Sequence, residues 1–115
     1  MNKFYRKDLG SHDGDTDANI NLPIHQPTIY LGIQINHESL NADDATITVE
    51  TSVDGVEWSE LINPDGTTVF ITIDSNESPS SIRINAPLEG YIRLVYVANS
   101  VTAGTFTPKI NINAQ

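Results

Sequence analysis

Alternation of apolar and polar side chains with a period of two recurs along this chain, and it limits the possible folds more than any other feature. In "TIYLGIQIN" Ile29, Leu31, Ile33 and Ile35 share one face. In "ATITVETSV" Ile47, Val49, Thr51 and Val53 do so, and in "TFTPKINI" Phe106, Pro108, Ile110 and Ile112. Successive side chains of an extended backbone point to opposite sides, so each stretch reads as a strand with one buried face. The runs "VEWSEL", "TTVFITID", "SSIRIN" and "YIRLVYV" are rich in β-branched and aromatic residues, and "NPDG", "SNESPS", "APLEG" and "NSVTAG" separate them. No segment sustains an apolar stripe at the helical period, so almost no helix is expected.

Seven strands, or eight with a short one near Ile20 to Leu22, predict an all-β fold, an antiparallel β-sandwich or jelly roll. The length of 115 residues suits one domain that can bury a core without disulfide or metal support, and cysteine is absent. No apolar run approaches the roughly 20 residues needed to cross a bilayer. The N-terminal stretch lacks the apolar middle of a signal peptide, so a soluble protein starting at its own Met1 is expected. Residues 1–19 are polar and contain "GSHDGDTDAN", which predicts an extended N-terminal arm ordered by a partner, followed by a sandwich domain over 20–115. Deleting part of such an arm would leave the sandwich's melting temperature nearly unchanged.

The net charge is −9, yet Lys3, Arg6 and Lys7 place three of the six basic residues within the first seven positions. From residue 20 onward three basic residues, Arg83, Arg93 and Lys109, face eleven acids. A body this acidic repels nucleic acid and anionic lipid, so neither is an expected partner.

The single tryptophan, Trp58, follows an Asp-Gly pair at 54–55. That pair predicts a two-residue type I′ hairpin turn, which needs positive φ at both positions. Val53 would then pair with Val56, Thr51 with Trp58, and Val49 with Glu60. This register turns Trp58 inward as a core side chain, and it also points Glu60 inward, which hints at a bulge or an early strand end. The alternative is a ring platform offered to a ligand. "S-x-D-G-x-x-W" is similar to the Asp-box of sialidase-like propellers, but it lacks a residue between Asp54 and Gly55, and the chain is too short for repeated blades.

Little in the chain points to chemistry. His12, His25 and His37 have no spaced partners of the kind zinc requires, and they read as solvated or hydrogen-bonded histidines. Asp13, Asp15 and Asp17 have the spacing of a calcium loop. Ala18 stands where such a loop needs glycine and Ile24 where it needs glutamate, so an acidic linker is the better reading. Asn76-Glu77-Ser78 is formally a sequon, but it precedes Pro79 and reads as a turn. With no triad signature and no phosphate loop, neither enzymatic activity nor a cofactor is expected.

The outward faces carry more information. In "GYIRLVYV", Ile92, Leu94 and Tyr96 share one parity, while Tyr91, Arg93, Val95 and Val97 share the other, so both faces are largely apolar. Such a strand is covered on both sides or lies at a subunit contact. Tyr30 and Phe70 also fall opposite their strands' aliphatic residues, placed either by a slip of parity into the core or at an interface.

Taken together, "DATITVETSVDGVEWSEL" and "GYIRLVYVANSVTAGTFTPKINI" resemble the small β-sandwich virion proteins of tailed bacteriophages, the capsid decoration and auxiliary proteins among them. The resemblance spans about residues 28–113 and rests on structural motifs. It implies a virion location and a structural, oligomeric (cement) role, on a capsid or in a neck, tail or fibre base. The implied partners are further copies of the chain, with a homotrimer as the expected form, and the major capsid or another virion protein. The expected partner-binding residues are Lys3, Phe4, Tyr5, Arg6, Lys7 and Leu9 of the arm, with Tyr30, Phe70 and Tyr91 on the body. A carbohydrate-binding module is the alternative, with Tyr30, Tyr91 or Trp58 stacking on sugar rings.

Overall fold

The computed structural model describes residues 3–22, 28–63, 65–76, 80–84 and 90–114. Among them the chain forms ten strands and no helix. The strands are β1 (Lys3–Asp8), β2 (His12–Asp13), β3 (Ala18–Asn21), β4 (Thr28–Glu38), β5 (Thr46–Ser52), β6 (Ser59–Glu60), β7 (Phe70–Thr72), β8 (Ser80–Ile84), β9 (Tyr91–Val97) and β10 (Thr105–Ala114). All pairings are antiparallel. The first sheet runs β1-β10-β4-β8, with β2 also on β10, and the second runs β3-β9-β5-β6, with β7 also on β5.

Chain order explains this arrangement. β5 pairs with β7, β4 with β8, β3 with β9 and β1 with β10, so each antiparallel pair encloses the one before it. Folding this nested ribbon over until β10 also meets β4, and β9 meets β5, produces two stacked sheets. That is the topology of a jelly roll. The ten strands exceed the seven or eight expected: β1 and β2 come from the segment read as an arm, and the strand expected over "VEWSEL" is reduced to the two-residue β6.

The core lies between the sheets and follows the alternation. Leu31, Ile33 and Ile35 of β4, Ile47 and Val49 of β5, Ile92, Leu94 and Tyr96 of β9, and Phe106, Ile110 and Ile112 of β10 are all buried. Tyr96 crosses from one sheet to the other. Its ring stacks on Phe106 at a centroid distance of 4.0 Å, and its hydroxyl donates to the Gly14 carbonyl at 2.7 Å. Burial, with the negative field of Asp17, Asp15 and Asp44 added, raises the Tyr96 hydroxyl above its ordinary pKa.

The N-terminal segment departs from its expected character. It is extended, but its own chain orders it: β1 pairs with β10 over six residues, from Lys3↔Ala114 to Asp8↔Lys109. Leu9 donates its backbone N–H to Pro108 O at 2.9 Å and packs against the core. His12 stacks on Phe106 at 5.3 Å. The expected boundary at residue 19 falls inside β3, so the described part of the arm belongs to the sandwich. The reason is combinatorial: β10 has ten residues, and without β1 and β2 one edge of this long central strand would lack a partner. The acidic loop is also occupied with structure, since Asp17 Oδ1 accepts from Ala98 N at 2.9 Å and Asp15 Oδ1 from the Thr16 hydroxyl.

Candidate functional site

The outward residues of the second sheet are the candidate site. Tyr91, Arg93, Val95 and Val97 of β9 point away from the core, and their neighbours Ser52, Glu50, Thr48 and Thr46 of β5 share that face. Register adds Phe70, opposite Thr48, and Glu60, opposite Glu50. Phe70 is 52% exposed and Tyr91 56%. Phe70 is therefore outward, and no slip of parity hides it.

Trp58 lies over this face, contrary to the core position expected for it. Residues 53–58 connect β5 to β6, and Thr51 pairs with Ser59 and Glu50 with Glu60. A one-residue change of register exchanges the faces of a strand, so Trp58 leaves the interior and Glu60 turns outward. Asp54 controls the connection. Its Oδ1 accepts from Val56 N at 2.8 Å, Glu57 N at 3.0 Å and the Ser52 hydroxyl at 2.9 Å, while Ser52 Oγ accepts from Gly55 N at 2.8 Å. Only Gly55 of the Asp-Gly pair takes positive φ, so the type I′ turn does not form. The backbone N–H groups of Glu57 and Val56, then the Ser52 hydroxyl, hold the Asp54 carboxyl below its usual range. With the hairpin lost, Val53 and Val56 project into solvent, 96% and 77% exposed.

The half-buried Trp58 ring has a specific partner. Arg93 places its guanidinium carbon 4.2 Å from the ring centroid, and its Nη2 and Nε lie 2.6 and 2.7 Å from Glu50 Oε1. The planar cation thus joins strand β9 to β5 and anchors the 53–58 connection over both. No local signal could reveal this, because the contact joins residues 35 positions apart.

Among the described residues the exposed large hydrophobic side chains are Val53, Val56, Ile62, Phe70 and Tyr91. All five belong to the second sheet or its connections. Among the described side chains, the outer face of the first sheet carries the polar Gln34, Asn36, Lys109 and Asn111.

The sequence-predicted contact residues therefore divide. Phe70 and Tyr91 lie on the second sheet's outer face. Arg6 and Lys7 are exposed on β1 at the margin of the first sheet, and Leu9 is half-buried against the core. The backbones of Lys3, Phe4 and Tyr5 lie in β1 and that of Tyr30 in β4, while their side chains fall outside the described residues. Sequence reasoning missed the solvent-facing Val53, Val56 and Ile62. Among the described residues no group of three or more His, Asp or Glu side chains is placed to hold a metal ion. No protein-family model and no curated protein matches the chain.

Proposed function

We propose that this protein is a structural virion component of a tailed bacteriophage, of the capsid decoration or auxiliary type, which assembles through the outer face of its second sheet. The observation that carries this reading is a set of apolar side chains left in solvent: among the described residues Val53, Val56, Ile62, Phe70 and Tyr91 are the large exposed ones, and all five belong to the second sheet or its connections. Apolar side chains gathered on one face of a soluble domain mark a protein contact. A closed cyclic assembly covers such a face on every copy, and a homotrimer docked on a major capsid or other virion protein is the form proposed. Location at a neck, tail or fibre base fits the same surface.

A carbohydrate-binding module has one observation in its favour, the presence of Tyr91 and Trp58 on the same outer face. Arg93 already occupies the Trp58 ring, which leaves Tyr91 as the exposed platform.

Light scattering on the purified chain at micromolar concentration tests assembly, with a trimer as the expected result. The double variant Val53→Ser, Phe70→Ser should shift the mass to that of a monomer while the far-UV spectrum stays β. Purified particles of the phage that encodes the chain should contain it at fixed stoichiometry. A monomeric wild type that is also missing from such particles overturns the reading.

A further inference from the structure

We infer that the outer face of the first sheet is a binding trough for an acidic carbohydrate, a ligand that carries both carboxylate and hydroxyl groups. Between Lys7 and Arg83 the sequence contains no lysine or arginine, so its few cations lie toward the two ends of the chain. The ribbon topology brings them back together. One row across four strands reads Arg6 (β1), Asn111 (β10), Gly32 (β4), Arg83 (β8), and the next reads Asp8, Lys109, Gln34, Ser81. Directly paired residues share a face, and Asn111 and Arg83 alternate with buried Ile110, Ile112 and Ile84, so both rows point outward.

The first row forms a trough. Arg6 and Arg83 stand at its ends, three strand spacings or about 14 Å apart at the backbone. Between them Gly32 has no side chain, and Asn111 provides the floor. The depression has a volume of about 520 Å³, within the range of small-molecule sites. Arg6, Arg83 and Lys109 surround it against the single carboxylate of Asp8, a local excess of two positive charges on a chain of net charge −9. Asp8 is held in place by Gly10 N at 2.8 Å and lies 4.0 Å from Lys109 Nζ. Among the described residues Arg6 and Arg83 form no ion pair, which leaves two guanidinium forks directed at solvent. Such forks match carboxylate geometry.

The floor narrows the ligand class. Asn111 Oδ1 is buried, and nothing among the described residues donates to it. A buried acceptor without a donor is unfavourable, and Asn111 lines the trough, so a ligand that shifts this side chain enough to uncover Oδ1 gains by supplying an N–H or O–H there. A simple polycarboxylate has no such donor. A sugar acid has hydroxyl donors for Asn111 and Gln34 beside carboxylates for the arginines. Nucleic acid and other long polyanions fit less well, because the remainder of the acidic body repels them. The trough lies on the sheet opposite the proposed assembly face, so the two readings stand or fall separately.

Calorimetric titration of the full chain with trigalacturonic acid, with its neutral methyl ester and with propane-1,2,3-tricarboxylate, which has three carboxylates and no hydroxyl or N–H, tests the proposal. Trigalacturonic acid is expected to bind at least tenfold more tightly than either control. Arg83→Ser should weaken it at least tenfold, and Asn111→Leu should bring it down to the level of the tricarboxylate, with both variants melting as the wild type does. Equal binding of the tricarboxylate, binding of the methyl ester as tight as that of the acid, no binding of trigalacturonic acid, or an Arg83→Ser variant that binds normally would each overturn it. Light scattering on the same samples reads assembly independently.

Discussion

Arg93 holds its guanidinium carbon 4.2 Å from the centre of the Trp58 ring, and the same group bonds Glu50 on the neighbouring strand. Trp58 thus acts as a clamp on the outer surface. Trp58→Ala should cost about 1–2 kcal/mol, short of the about 3–5 kcal/mol typical for a core aromatic. Arg93→Ala should cost about 2 kcal/mol, since it removes both the stacked cation and its charged hydrogen bond. Urea unfolding followed by far-UV circular dichroism measures both, and a core-sized loss for Trp58→Ala would contradict the clamp.

Removal of residues 1–10 takes β1 and Leu9 from the sandwich and bares one edge of β10. The truncated chain should melt lower by on the order of 10 °C or more, and it should aggregate through the uncovered edge. Calorimetry decides between this outcome and the unchanged melting temperature that a free arm would give.

Tyr96 gives the fold an alkaline limit. Its hydroxyl pKa is raised by burial, so the folded state keeps the proton more tightly than the unfolded chain does. That contribution is complete below the ordinary tyrosine pKa of 10.0, and it is lost as pH rises from there through the folded value. Tyr96→Phe should lower stability at neutral pH by about 1–2 kcal/mol through the unpaired Gly14 carbonyl. It should also flatten the fall in stability above pH 10. Denaturant midpoints measured from pH 7 to 11 on both proteins test this.

Asp54 acts at the acid end. Three hydrogen bonds hold its carboxyl below the usual 3.8, so its contribution is present above that pH and is lost as pH falls through the lowered folded value. Asp54→Ala should weaken the fold at neutral pH and reduce the steepness of acid unfolding below pH 3.8. Asp54→Asn, which keeps an acceptor oxygen, should retain more of the neutral-pH stability. Urea midpoints between pH 2 and 6 provide the comparison, and an alanine variant with the wild-type acid profile would count against this role.

Much of the architecture was legible in local pattern. Leu31, Ile33, Ile35, Ile47, Val49, Phe106, Pro108, Ile110 and Ile112 are buried as their alternation requires, and the strand near Ile20 exists. Pattern failed where it could not see a partner. Val53 continues the parity of Ile47 and Val49 yet is almost wholly exposed, because Asp54 gathers backbone donors into a wider connection that ends the hairpin before Val53 can pair. The same shift moved Trp58 from the inside to the outside. The outward aromatic character of β9 and Phe70 was readable, but not that these residues share one face, since sheet order is a long-range property.

The sequence by itself determined the class of fold, the inward face of each long strand and the acidic character of the body. All three follow from side-chain chemistry acting over a few neighbouring residues. Tertiary structure alone decided that β1 belongs to the sandwich, that Trp58 meets Arg93, and that Arg6, Asn111, Gly32 and Arg83 form one row. Each of these depends on which strand lies beside which. In a nested ribbon the outermost pair joins the two ends of the chain, so pairing of the whole ribbon, and no local preference, brings such residues together.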